Sequence, residues 1–126
     1  MSQLFLIAAA LLGATGVILG AFAAHGLKSK LTENLLNAFE TGVTYQFYHA
    51  LALMALALWL KQSSSGWLVA SGYLWLAGVI LFSGSLYALA ITGIKWFGPI
   101  TPLGGLLFIA GWISLLIGAI KLGAVS

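Results

Sequence analysis

The sequence predicts an all-α integral membrane protein, an antiparallel bundle of four transmembrane helices. Composition is the first observation that carries this. Of 126 residues, 62% are hydrophobic and 6% charged, whereas soluble domains carry about a quarter charged residues. Mean hydropathy is +1.12. So little polar surface cannot coat a globule in water, so most of the outer surface must meet lipid. The second observation is that the apolar residues fall into four long runs, separated by short breaks holding Lys, Gly, Pro, Ser and Trp. About 20 apolar residues suffice to cross a ~30 Å hydrocarbon core. Short connections between the runs favour antiparallel neighbours, and they leave room for one domain over residues 1–126.

The first run, residues 4–25, could be mistaken for a signal peptide, because Ala21-Phe22-Ala23 mimics a cleavage site. Met1-Ser2-Gln3 carries no Lys or Arg, however, and the apolar run exceeds the usual ~7–15 residues. It reads as a membrane helix. Gly16 and Gly20 make a GxxxG step within a series of small residues, a flat stripe for close helix contact. Gly26 is placed to cap the helix at the exit turn. The second helix is expected over 33–60. Thr32 serves as its N-cap, Glu33 sits in the first turn, and Leu31 and Leu36 form the two ends of a hydrophobic staple. Trp59 and Trp67 flank the polar loop Lys61-Gln62-Ser63-Ser64-Ser65 and mark the headgroup level. The third helix is expected over 66–92. The fourth is expected over 102–121, with Thr101 as cap and Pro102 at the first helical position. Gly104, Gly111 and Gly118 recur every seven residues and give it one smooth face.

All five basic residues are lysines at the ends of apolar runs, where their stems can snorkel to the interface. Without arginine or a basic cluster there is no nucleic-acid footprint. Lys28, Lys30 and Lys95 lie on one side of the expected bundle, Lys61 and Lys121 on the other. The positive-inside rule then puts both termini outside. The absence of cysteine excludes disulfides, thiol catalysis and thiolate metal sites.

The most informative stretch is Thr41 to His49, a polar run that opens the second helix. At 100° per residue, Leu35, Leu36, Phe39, Val43 and Phe47 share one side. Glu40, Thr41, Thr44, Tyr45, Tyr48 and His49 share the other, while Gln46 lies off this polar face, beside Phe39 and Leu35. Antiparallel order brings further polar groups to the same half of the bundle. The candidate polar cluster is therefore His25, Glu40, Thr41, Tyr45, Gln46, Tyr48, His49, Ser83, Ser85, Tyr87 and Thr101. In lipid these groups need partners from within the protein. Glu40 is expected near the headgroups, paired with Lys28, Lys30 or His25, or accepting from a hydroxyl. No catalytic residue, metal or cofactor is assigned. A metal set of His25, His49 and Glu40 lacks an i, i+4 histidine pair, and Ser83 or Ser85 with His49 and Glu40 lacks a Gly-x-Ser-x-Gly turn.

Several blocks carry a family likeness: Ala21-Phe22-Ala23-Ala24-His25-Gly26, Phe39-Glu40-Thr41-Gly42-Val43-Thr44-Tyr45-Gln46-Phe47-Tyr48-His49-Ala50, Leu81-Phe82-Ser83-Gly84-Ser85-Leu86-Tyr87, Gly98-Pro99-Ile100-Thr101-Pro102-Leu103-Gly104-Gly105 and Phe108-Ile109-Ala110-Gly111-Trp112. In this order they resemble the YgdD-like family, a domain-of-unknown-function family that includes transmembrane protein 256 of animals. Ala23 stands where the family pattern leads one to expect glycine. The resemblance implies a small multi-pass protein of the bacterial cytoplasmic (inner) membrane and supplies no activity, substrate or cofactor.

Three functions compete at this level. The first is a structural or lipid-interacting protein whose partners are membrane lipids and further copies of itself, the homo-oligomer being motivated by the glycine stripes on the first and fourth helices. The second is a small-solute, ion or proton pathway lined by His49, Tyr45 and Glu40. The third, a membrane enzyme acting on a lipid or quinone, has the least support.

Overall fold

The computed structural model describes residues 1–123. It contains four helices: α1 (Ser2–Phe22), α2 (Glu33–Leu60), α3 (Gly66–Thr92) and α4 (Ile100–Gly123). Each is long and apolar enough to cross a membrane. Thr32 caps α2 as expected, its hydroxyl accepting from the Leu35 amide at 3.3 Å. Ser65 caps α3 in the same way. At its far end α3 stops on Gly93, the one described residue with positive φ (70°), whose amide donates to Leu89 O. A left-handed C′ residue of this kind favours glycine because a Cβ is strained there.

Two helix ends differ from the expectation. α1 does not stop at a glycine cap. It widens into one π-helical turn, Ala23–Leu27, and Gly26 has no positive φ. The Phe22 ring lies over Gly26, 2.7 Å from where a Cβ would stand. The π turn brings both Ala23 and Leu27 inward, against Phe39 and Ala90. α4 begins at Ile100, so Thr101 lies inside the first turn and does not cap it. Pro102 still falls in that turn, where a backbone N–H has no intrahelical partner to lose.

The helices pack in chain order, α1 on α2, α2 on α3 and α3 on α4. Each seam rests on glycines facing large side chains. On α1, Gly16 faces the Phe47 ring of α2 and Gly20 faces Val43. Gly42 of α2 faces the Tyr87 ring of α3, and Gly72 of α3 receives the Phe5 ring of α1. The α3–α4 seam is regular. Gly104 meets the Phe82 backbone, Gly111 the Trp75 indole and Gly118 Leu68. A seven-residue step up α4 thus answers a seven-residue step down α3. The expected smooth face of α4 exists, and α3 occupies it. Small residues at such seams let backbones approach closely, which is how helices gain packing energy in lipid. The main apolar core lies between these seams around Phe5, Leu53, Leu56, Leu68, Trp75 and Phe108.

Candidate functional site: a polar hub joining three helices

The inward face of α2 is Phe39, Gly42, Gln46, His49 and Leu53, all buried. These positions recur at three and four residues, so they form one stripe. Gln46, 3% exposed, is the hub. Its Nε2 donates to Leu12 O and to Thr15 Oγ1 on α1, both at 2.8 Å. Its Oε1 accepts from the Tyr87 hydroxyl on α3 at 2.6 Å. One amide thereby ties α1, α2 and α3 together. Thr15 passes the chain on by donating to Leu11 O at 2.8 Å. A turn earlier on α2, Ser83 Oγ donates across the α2–α3 seam to Gly42 O at 2.7 Å. The missing side chain at Gly42 lets Tyr87 pass close by: its Cε1 lies 2.7 Å from where a Cβ would stand.

His49 links α2 to α4. Its Nδ1 lies 2.8 Å from Tyr45 O, and a carbonyl can only accept, so Nδ1 carries the proton. Nε2 is then the acceptor for the Trp112 indole N–H at 3.2 Å. The neutral ring satisfies both partners at once. It also stacks on Phe108, with centroids 3.7 Å apart and planes 8° from parallel. Trp75 and Trp112 meet its edges at 6.0 Å each.

Ser85 and Thr101 pair hydroxyl to hydroxyl at 2.5 Å between α3 and α4. At the opposite end of that seam, Trp67 O accepts from Ser71 within α3 and from Ser114 of α4, at 3.0 and 2.7 Å. The pairings therefore run through the depth of the bundle and are not confined to one half. Among the described residues, the one buried side-chain N or O without a partner is Trp75 Nε1. It lies 2.6 Å from where a Cβ on Gly111 would stand, wedged in the α3–α4 seam.

Several expected members lie elsewhere. Thr41 and Thr44 are exposed and donate to carbonyls of their own helix, Asn37 O and Glu40 O. Tyr48 is 59% exposed and Tyr45 38%, and Tyr45 contributes its ring, against Phe82 and Tyr48. Glu40 and His25 are exposed, and neither forms an ion pair or side-chain hydrogen bond. The expected pairing of Glu40 with Lys28, Lys30 or His25 is thus absent among the described residues. Of the polar face of the helical wheel, Glu40, Thr41, Thr44, Tyr45 and Tyr48 are exposed and only His49 is buried, beside Phe39 and Gln46. Of the expected cluster, the structure gathers Gln46, Tyr87 and Ser83 around one junction, pairs Ser85 with Thr101, and gives His49 a separate aromatic partner. Thr15, Ser71, Trp112 and Ser114 were not anticipated. The signal for these four was faint, each being a lone hydroxyl or indole in an apolar helix, which is also what a lipid-facing residue looks like. No three His, Asp or Glu side chains converge among the described residues.

Residues 19–105, which include Gln46, His49, Ser83, Ser85, Tyr87 and Thr101, match the model of a family described as a protein of unknown function (DUF423). The chain belongs to this family. Relatives cover nearly its full length. The UPF0382 membrane protein YwdK of Bacillus subtilis is 45% identical over 94% of this chain and 98% of its own. SAB0533 of Staphylococcus aureus, another UPF0382 membrane protein, is 46% identical over 94% and 97%. The UPF0382 inner membrane protein YgdD of Escherichia coli K12 is 40% identical over 96% and 92%. The resemblance read from the sequence blocks therefore holds, as does the reading as a multi-pass protein of the inner membrane. The names of these relatives state a membrane location and no reaction. No solved structure matches the chain.

Proposed function

We propose that this member of the family acts as a structural, lipid-interacting component of the cell membrane and carries out no reaction. The observation that supports this is that, Trp75 Nε1 apart, the buried side-chain polar groups of the described residues close within the chain. Gln46, Tyr87, Ser83, Ser85, Thr101 and Ser114 all bond within the chain. Both ring nitrogens of His49 are engaged, and one ring face is covered by Phe108. A general base or proton relay needs a group free to accept and release a proton toward a substrate or a water file, and this His has neither nitrogen to spare. Tyr45 and Glu40, which would complete a pathway, face outward.

The reading predicts that purified protein retains phospholipid, and that proteoliposomes show no more proton or small-cation flux than protein-free vesicles. Flux that disappears in His49→Ala would overturn it in favour of a conduit. Self-association is a separate proposal. Gly16 and Gly20 of α1 and Gly104, Gly111 and Gly118 of α4 are covered within the chain, so a contact between copies would rest chiefly on the large apolar side chains facing outward on α1 and α4. Crosslinking in native membranes that yields monomers alone would refute it.

A further inference from the structure

The α1–α2 seam has an open flank, and two hollows lie along it. The first, about 440 Å³, opens beside the α1–α2 connection and is lined by Lys28, Glu40 and Thr44 with Gly20, Ala24 and Leu36. The second, about 380 Å³, lies deeper and is almost wholly apolar, with Gly13, Ala10, Leu51 and Met54 on its walls. They belong to one side of the seam. Leu6 and Gly13 of the deeper hollow and Gly20 of the outer one are seven residues apart on α1; Glu40 of the outer and Phe47 and Met54 of the deeper are seven apart on α2. A seven-residue step returns to the same side of a helix within ~20°. From Gly20 to Leu6 the flank runs ~21 Å along the axis, more than the ~15 Å depth of one leaflet. The result is a groove with a charged mouth at the headgroup level and an apolar channel below it.

The mouth carries one cation and one anion that do not neutralise each other. Lys28 and Glu40 line the same hollow, yet neither forms an ion pair. We propose that this groove binds a zwitterionic phospholipid with a primary ammonium headgroup, phosphatidylethanolamine. The phosphate diester sits against the Lys28 ammonium, the headgroup ammonium donates hydrogen bonds to the Glu40 carboxylate, and an acyl chain lies over Gly13. The two headgroup charges are separated by a two-carbon link, and they meet a cation and an anion held apart across the hollow. A choline headgroup has no N–H to donate, and an anionic glycerol headgroup places no cation against Glu40. Thr44 leaves its oxygen open as a further acceptor, because its proton is used on Glu40 O. The deep part is shaped for the chain. Gly13 has nothing within 4 Å of where a Cβ would stand, so the absent side chain leaves the hollow open at that point.

This inference rests on the lipid-interacting reading above and narrows it to one lipid class. The test is native mass spectrometry of the detergent-purified full chain, titrated separately with palmitoyl-oleoyl phosphatidylethanolamine, phosphatidylcholine and phosphatidylglycerol. Wild type should hold the ethanolamine lipid about tenfold tighter than the other two, the difference one charge-assisted hydrogen bond makes. Glu40→Ala should remove that preference while leaving thermal unfolding unchanged, since the exposed side chain makes no ion pair or hydrogen bond within the fold. Gly13→Leu should weaken binding of all three lipids by about tenfold, and its melting temperature should match wild type because the added atoms enter open space. Equal binding of the three lipids by wild type overturns the proposal, as does a preference that survives Glu40→Ala or wild-type affinity in Gly13→Leu. Those outcomes leave the broader reading standing. Failure of any phospholipid to bind removes both.

Discussion

Replacing Gln46 by leucine separates the hub from its alternative by sign. Had Gln46 faced lipid, leucine would stabilise the protein, since it transfers into the bilayer centre favourably by ~0.3–0.6 kcal/mol. In the structure Gln46 makes three hydrogen bonds to two other helices. At ~0.6 kcal/mol for an average interhelical bond in a membrane protein, losing them costs about 2 kcal/mol. The Tyr87 hydroxyl is left without its acceptor. Tyr87 is only part-buried, so the low end of the orphan penalty applies, ~1 kcal/mol. Leucine nearly conserves volume, so the cavity contribution is small. Gln46→Leu should therefore lower stability by about 3 kcal/mol, measured by reversible unfolding in mixed micelles titrated with dodecyl sulfate. Tyr87→Phe removes the other partner of one bond. The double variant should then be less destabilised than the sum of the singles by about 1 kcal/mol. A stabilised Gln46→Leu protein, or strict additivity of the two substitutions, would refute the hub.

Five further outcomes follow from the same structure. Gly104→Ala places a methyl group against the Phe82 backbone, which cannot yield as a side-chain tip can, and should cost ~1–3 kcal/mol. Gly84→Ala, on the outward face of α3 with open space around it, should be neutral or slightly stabilising in the same unfolding assay. Thr41→Val and Thr44→Val should each change stability by less than ~0.5 kcal/mol, because their hydroxyls serve only their own helix. Ser83→Ala, which loses the bond to Gly42 O across the seam, should cost ~0.5–1.5 kcal/mol. His49→Ala strips the acceptor from Trp112 and the stack from Phe108; about 2–3 kcal/mol should be lost, and the near-UV circular dichroism of the Trp75–Trp112 pair should weaken.

The helix spans were largely legible because their punctuation is local. Thr32 and Gly66 mark starts, and the two tryptophans mark a loop. The glycine repeat of α4 was legible because a seven-residue period needs no partner to be seen. The orientation of α2 was not. In water, the apolar side of a helical wheel turns inward. In lipid, both sides of α2 are tolerable outside, and the inward side is chosen by fit. Thr41 and Thr44 satisfy themselves on their own helix and so can face outward. Gln46 has no such local option and must find partners across a seam. Gly42, Ala50 and Ala57 share its buried face, and that run of small residues was the available clue. The π turn at Ala23–Leu27 was not legible, because the run into it reads as uninterrupted apolar helix.

The seven-residue matching of α4 glycines to α3 side chains has a consequence for how the last two helices settle. A repeat of that kind admits alternative alignments: sliding α4 by one period, ~10.5 Å, would again set glycines opposite bulky groups. What selects one alignment is the charge at either end of the hairpin. A slide toward the α3–α4 connection drags Lys121 off its place over the Trp67 ring and into hydrocarbon, and a slide the other way draws Lys95 in. At ~2.5–3.5 kcal/mol for a lysine carried to the bilayer centre, each acts as an end-stop. The hairpin is a ratchet with several teeth and only one position in which both stops are clear of the membrane.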